Sequence, residues 1–242
     1  MANFILVHGA WHGGWCWRKV VPLLEAAGHR VHAVTLTGLG ERAHLLSSTI
    51  TLETHIADVS GAIEAEEMGD VVLAVHSYAG MLGTAVADRM PGRLQHLVYV
   101  DAVIPRPGES WSSTHTTTTR EARLAAARAN PDFSFPVPDG RDYGLTGEDL
   151  AWLGRRLTPH PGHTYTAALD FDMDRVARVP RTFVNCTAPA LPTIDAIRAR
   201  VADAGFWGGR WRTGGRVVEL ATGHDPMVSA PRELADILAG CA

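Results

Sequence analysis

The 242-residue sequence predicts an α/β fold: a mostly parallel, doubly wound sheet with helices on both faces and an inserted, mainly helical cap. Three observations carry that expectation. Short apolar, β-branched runs recur along the chain. Stretches with apolar residues three and four apart separate them. The runs are continuous rather than alternating, as in strands covered on both faces of a parallel sheet.

Taken in order, Phe4–Val7 reads as the first strand and Trp17–Ala27 as a helix closed by Gly28. Arg30–Leu36 is a second strand, ending in the turn Thr37-Gly38-Leu39-Gly40. Leu52–Met68 carries Ile56, Val59 and Ile63 at helical spacing, with Gly69 to end it. Val71–Val75 is the third strand, and Met81–Met90 is a helix stopped by Pro91-Gly92. Leu94–Val100, Arg181–Cys186 and Arg216–Leu220 are strands four to six, and Pro231–Leu238 is the last helix. The segment 105–176 breaks this rhythm. It holds a polar Thr116–Thr119 stretch read as a loop, a helix over Arg120–Ala129, a proline-rich Asn130–Pro138 and a short helix near Glu148–Leu157. Trp111, Phe133, Phe135, Tyr143 and Trp152 make it too aromatic for a solvated linker. We expect residues 1–104 and 177–242 to form the core and 105–176 to form a cap. Gly208-Gly209 and Gly214-Gly215 bracket an expected exposed loop.

Composition bounds the function. Apolar residues make up 46%, charged residues 20%, and the net charge is −4. With no basic stripe, nucleic acid is not an expected partner. No apolar stretch reaches the ~18–20 residues of a membrane span, and Phe4–Val7 is too short for a signal-peptide core. Cys16, Cys186 and Cys241 lack metal or disulfide spacing and fit a reducing compartment. A cytoplasmic location is therefore expected, and a homodimer is compatible with the chain. Lys19 is the one lysine, so lysine-based mechanisms have almost no material.

The chemistry centres on Val75-His76-Ser77-Tyr78-Ala79-Gly80, where a strand runs into small residues that begin a helix. A serine on so sharp a turn is held above the sheet edge, and the first amides of the helix can face an anion. Ser77 needs a base to take its proton. His224, in Thr222-Gly223-His224-Asp225, follows the last strand and can swing over the same edge. Oxyanion donors are expected at the Tyr78 and Ala10 amides, because the glycine-rich loop after Val7 lets backbone approach a ligand. His8, Trp11, His76, Trp111 and Trp152 are candidate pocket residues. His8 and His12 are four apart but lack a zinc pattern, and His160 and His163 lie in a proline-glycine loop, so no metal or other cofactor is expected.

Three motifs in this order, HGAWHGGWCW, HSYAGM and GHDPMVSAPREL, resemble the α/β-hydrolase superfamily. The branch most similar holds plant methylesterases, hydroxynitrile lyases and their bacterial esterase-like relatives. The resemblance implies an α/β-hydrolase fold and an esterase-like enzyme acting through a Ser, acid, His triad. Two departures stand out. Val75 and Ala79 occupy the outer glycine places of the serine turn. Pro189 occupies the place where this branch carries its acid after the penultimate strand. Asp101, at the end of the fourth strand, is the favoured replacement, because some α/β-hydrolases carry their acid there. Asp195 is the alternative, and a site without an acid is the third reading. Asp225 is adjacent to His224 and is expected to point elsewhere. The hydroxynitrile lyases of the branch use a threonine and a lysine where this chain has Gly9 and Asp225.

The expected function is hydrolysis of a carboxylic ester or lactone of a small to medium, largely apolar substrate through an acyl-enzyme on Ser77. The competing readings are a lyase or cyclase acting on a natural-product intermediate with the same Ser–His pair, and a non-catalytic ligand-binding relative.

Overall fold

The computed structural model describes residues 1–242. Its main sheet contains β1 (Asn3–Val7), β2 (Arg30–Val34), β3 (Val71–His76) and β4 (Leu94–Val100). A two-stranded ribbon follows, made of β5 (Ser134–Phe135) and β6 (His160–Pro161). The main sheet is completed by β7 (Arg181–Cys186) and β8 (Gly215–Leu220). Its order is β2-β1-β3-β4-β7-β8, and every pairing in it is parallel. Phe4–Val7 and Val71–Val75 are fully buried. Side chains alternate between faces along a strand, so burial of every one means that both faces are covered. Helices Val21–Ala26 and Pro231–Ala239 pack together, as do Leu52–Ala65 and Gly80–Arg89. Thr51 caps the helix Leu52–Ala65, accepting from the Thr54 amide.

Register is what matters for the site. Val7 pairs with Val75, and Val75 with Tyr99. The loops after β1, β3 and β4 therefore leave the sheet at one level. The chain reverses its direction of winding between β1 and β3, and ligands sit outside the carboxyl ends of strands at such a switch. Cys186 pairs with Leu220, which brings the loop after β8 to the same edge.

Several boundaries differ from the sequence expectation. The helix expected over Trp17–Ala27 is a 3-10 turn over Gly14–Lys19 followed by α-helix from Val21, since Pro22 suits a helical first turn. The threonines expected as a loop begin a helix, Thr117–Arg128, with Thr116 as its N-cap accepting from the Thr119 amide. The loop expected to be exposed between Gly208 and Gly215 is anchored. Trp211 is buried, its ring lies under the Arg181 guanidinium, and Arg181 binds the Trp211 and Thr213 carbonyls. All three cysteines are free and buried. No helix is long and apolar enough to cross a membrane.

Candidate active site

Ser77 stands directly after β3 with φ +54°, a left-handed conformation that a serine adopts only where its surroundings hold it. This is the sharp turn between β3 and the helix starting at Gly80. Val75, too bulky for an outer glycine place, fits because residue 83 is glycine. A Cβ on Gly83 would lie 2.9 Å from both Val75 methyls. The loop after β1 comes equally close. A Cβ on Gly9 would lie 2.8 Å from Ser77 Cβ and 2.8 Å from His76 Nδ1.

Three groups from three strand ends form one hydrogen-bonded line. His224 Nε2 lies 2.9 Å from Ser77 Oγ, and His224 Nδ1 lies 2.7 Å from Asp101 Oδ2. His224 and Asp101 are buried. With the carboxylate accepting from Nδ1–H, Nε2 carries the lone pair that faces the hydroxyl. That arrangement can carry the Ser77 proton to His224 and stabilise the imidazolium that results.

Asp101 itself is fixed from behind. Its Oδ1 accepts from Arg198 Nη2 at 2.9 Å and from the Cys186 amide at 3.4 Å. Arg198 also binds Asn185 Oδ1, the Leu191 and Cys186 carbonyls and Asp195 Oδ1. Asp195 is thus a surface partner of Arg198, 67% exposed, and makes no contact with His224. Nothing in the spacing of the sequence pointed to Arg198. It is brought in by the helix Asp195–Ala202 that follows β7.

The loop after β1 is braced by a second buried pair. His12 Nδ1 donates to the Ala10 carbonyl at 2.7 Å, and His12 Nε2 meets Asp225 Oδ2 at 3.1 Å. Asp225 therefore points away from the Ser77 hydroxyl, toward His12. Burial disfavours its charge, yet His12 holds its pKa down at about 2. Burial likewise works against a charge on His12, and the Asp225 carboxylate overrides it, raising the His12 pKa. The Ala10 N–H donates to no protein acceptor. The Tyr78 amide lies at the start of the 3-10 turn Ser77–Ala79, where amides have no partner one turn earlier in the helix. The Tyr78 side chain faces away, with its hydroxyl 3.1 Å from His55 Nδ1.

Ser77 and His224 open onto a cavity of about 130 Å³ that Trp11, His76 and Trp111 help to line. Two residues expected in this pocket lie elsewhere. His8 is buried beneath the loop, with Nδ1 on the Gly9 carbonyl and Nε2 accepting from the Leu36 amide, so both ring nitrogens are spent on backbone. Trp152 faces Trp15 and the guanidinium groups of Arg18 and Arg156 on a separate depression. The sequence reading missed Arg123, His115 and Tyr143, which join the lining from the 105–176 segment. Only six of the fifteen lining residues are hydrophobic, so the wall is more polar than expected. His76, His224 and Asp225 offer donor atoms within 4.8 Å of one another. Both His224 nitrogens are engaged by Ser77 and Asp101, and His76 Nε2 donates to the His224 carbonyl at 2.8 Å. The set does not fit a metal ion.

Residues 4–237 match the model of the alpha/beta hydrolase family. The chain belongs to that family. Among curated relatives, the α/β-hydrolase is 38% identical to a carbendazim hydrolyzing esterase from Nocardioides sp. (strain SG-4G), with 99% of each chain covered. It is 28% identical to methylesterase 7 of Arabidopsis thaliana, over 98% of this chain and 94% of that one. An extracellular alpha/beta-hydrolase from a Paenibacillus species superposes with a TM-score of 0.83 at 19% identity, covering 100% of this chain and 99% of that one. These matches place the α/β-hydrolase with the plant methylesterases and their bacterial esterase relatives.

Proposed function

We propose that this α/β-hydrolase cleaves small carboxylic esters or lactones through an acyl-enzyme on Ser77. The observation that carries the reading is the unbroken line from Asp101 Oδ2 through His224 to Ser77 Oγ, at 2.7 and 2.9 Å, on the wall of a cavity. Ser77 attacks the ester carbonyl as His224 Nε2 takes its proton. Asp101 keeps Nδ1 protonated and stabilises the imidazolium. The Ala10 and Tyr78 amides receive the oxyanion. His224 then protonates the departing alcohol and activates the water that releases the acid.

We read the 105–176 segment as a cap, because it contributes Trp111, Arg123 and Tyr143 to the lining of the cavity that holds Ser77. A cavity of about 130 Å³ is well below the ~300–1,000 Å³ of sites for drug-sized ligands, so the substrate is small. Methyl esters are the first class to test, because plant relatives are named methylesterases. A lysine-dependent lyase reaction has no support, since Lys19 pairs with Asp149 and the Val228 carbonyl.

The test is labelling by a fluorophosphonate together with p-nitrophenyl acetate turnover. Labelling confined to Ser77, and loss of both signals in Ser77→Ala, is the expected result. A folded protein that neither labels nor turns over ester would instead be a ligand-binding relative.

A further inference from the structure

One cation in the cavity has no counter-charge. Arg123, on the helix Thr117–Arg128, lines the same cavity as Ser77. Its guanidinium lies over Trp11, Trp111 and Tyr165, at 5.4, 5.1 and 5.6 Å from the ring centroids. Its Nη1 is buried and has no hydrogen-bond partner. The titratable neighbours that favour its charge are the phenols of Tyr165, which also hydrogen-bonds it, and Tyr143, not acids. Asp142, the one carboxylate on the lining, is exposed and forms no ion pair with it. Arginine keeps its proton in such a place, and a half-buried cation with a buried N–H left unpaired and no counter-charge is costly. The rings crowd the guanidinium from several sides, and its planar fork of donors suits a carboxylate.

We propose that Arg123 binds a carboxylate carried by the substrate away from the scissile bond, so that the preferred substrates are half-esters of small dicarboxylic acids. The proposal rests on the esterase reading for the reaction, but not for the binding. The ester carbonyl sits at Ser77 and the Ala10 and Tyr78 amides. The free carboxylate sits at Arg123, on the cap side of the same cavity. An uncharged acyl chain of equal length would leave the guanidinium without a counter-charge and its Nη1 without a partner.

The experiment compares kcat/KM for monomethyl succinate, glutarate and adipate with methyl esters of matching chain length that lack the carboxylate. The best half-ester should exceed its neutral counterpart by about 10–100-fold, the range of a buried charge-assisted hydrogen bond. In Arg123→Gln that ratio should collapse toward one, mainly through KM, and Arg123→Lys should recover part of it. A wild-type enzyme that prefers the neutral esters overturns the proposal, and this reading needs no variant to fold. So does an Arg123→Gln enzyme that keeps the wild-type ratio. Binding is read separately: free glutarate or succinate should raise the melting temperature of Ser77→Ala protein and not that of the Ser77→Ala, Arg123→Gln double variant. If the wild type hydrolyses no ester but the dicarboxylate still stabilises through Arg123, the esterase reading falls and the anion site stands. If no dicarboxylate binds, the anion site falls whatever the esterase result.

Discussion

Replacing Asp101 by asparagine should abolish the function of His224 by reversing one hydrogen bond. The structure fixes which way the new amide must face. Asp101 Oδ1 accepts from Arg198 Nη2 and the Cys186 amide, both donors. The asparagine carbonyl must take that place, because an NH₂ there would meet two donors. The NH₂ is then left facing His224 Nδ1, where Oδ2 now sits at 2.7 Å. The imidazole must present a lone pair at Nδ1 and carry its proton on Nε2, toward Ser77, and can no longer accept the hydroxyl proton. Such a tautomer reversal costs about 10³–10⁴-fold in kcat, or roughly 4–5.5 kcal/mol at 1.36 kcal/mol per decade. Stability should fall less, by about 1–3 kcal/mol, because Arg198 keeps Asn185, Leu191 and Asp195 as partners. The assay is p-nitrophenyl acetate turnover at neutral pH, with a thermal melt to establish folding. Asp195→Asn is the control, and as an exposed ion-pair partner it should change turnover by less than about threefold. A folded Asp101→Asn enzyme within about tenfold of wild type would refute the tautomer reasoning. Asp101 would then be no more than a cap on the strand end.

Other consequences follow from the same contacts. Gly9→Ala places a methyl 2.8 Å from Ser77 Cβ and His76 Nδ1, so the loop carrying Ala10 must retreat. Loss of one oxyanion donor predicts a fall in kcat of about 10²–10³-fold with Ser77 still open to fluorophosphonate, and unchanged kcat would show the loop to be pliable. His12→Ala strips buried Asp225 of its nearest partner, a loss of about 3–5 kcal/mol that should lower the melting temperature by roughly 6–20 °C. A shift under about 2 °C would mean that water or His76 replaces it. Acid should begin to weaken the fold below about pH 6.5, before the carboxylates titrate. Burial lowers His8 and His115 to about 3 and His55 and His96 to about 4, and it also lowers His76 and His160. With folded pKa values below the ordinary 6.5, the unfolded chain binds more protons than the folded protein near pH 5, so stability falls as pH is lowered. This contribution is complete above pH 6.5 and lost as pH falls toward 3–4. His12 has the opposite sign, because its raised pKa adds stability that disappears only as pH rises above 6.5. Asp225, lowered to about 2, adds a further loss only below about pH 4. Urea midpoints at pH 7, 6 and 5 test this, and equal values at pH 7 and 5 would count against it.

The parts of the fold legible in sequence were those set by one dominant force. The strands announce themselves because a parallel sheet buried on both faces needs unbroken apolar runs, and Phe4–Val7 and Val71–Val75 have them. The place of Ser77 follows, because it lies just past such a run, and that of His224 because it lies in the loop after the last strand. Residues that brace the site through long-range pairing, with no strand-end position to mark them, were not legible. Arg198 lies 97 positions from Asp101, and His12 lies 213 from Asp225. Neither pair leaves a local pattern, since what joins them is sheet order. Trp152 misled for the opposite reason. An aromatic residue in a cap reads as a pocket wall, but its ring turns to Trp15 and two arginines on another face.

Sheet order also explains how the acid can stand on β4 while the position after β7 is filled by Pro189. The two strands are neighbours, with Val100 opposite Val184. A carboxylate at either carboxyl end is therefore within a strand spacing of the other, and His224 approaches both from the loop after β8. What differs is how the carboxylate is held. At the end of β4 the chain must turn sharply, and Asp101 takes φ +41° to do so. In that posture Oδ2 meets the imidazole while Oδ1 is left facing the empty side, toward β7. Arg198 and the Cys186 amide fill that side from β7 and the helix after it. With the proposed acid on β4, the β7 end supplies the donors that hold it. On this reasoning Arg198 and Asp101 form one unit. Arg198→Met should cost activity only while Asp101 is present, so the double variant Arg198→Met, Asp101→Asn should be no slower than Asp101→Asn alone. A double variant slower by the full product of the single effects would show that Arg198 acts on catalysis by a route independent of the carboxylate.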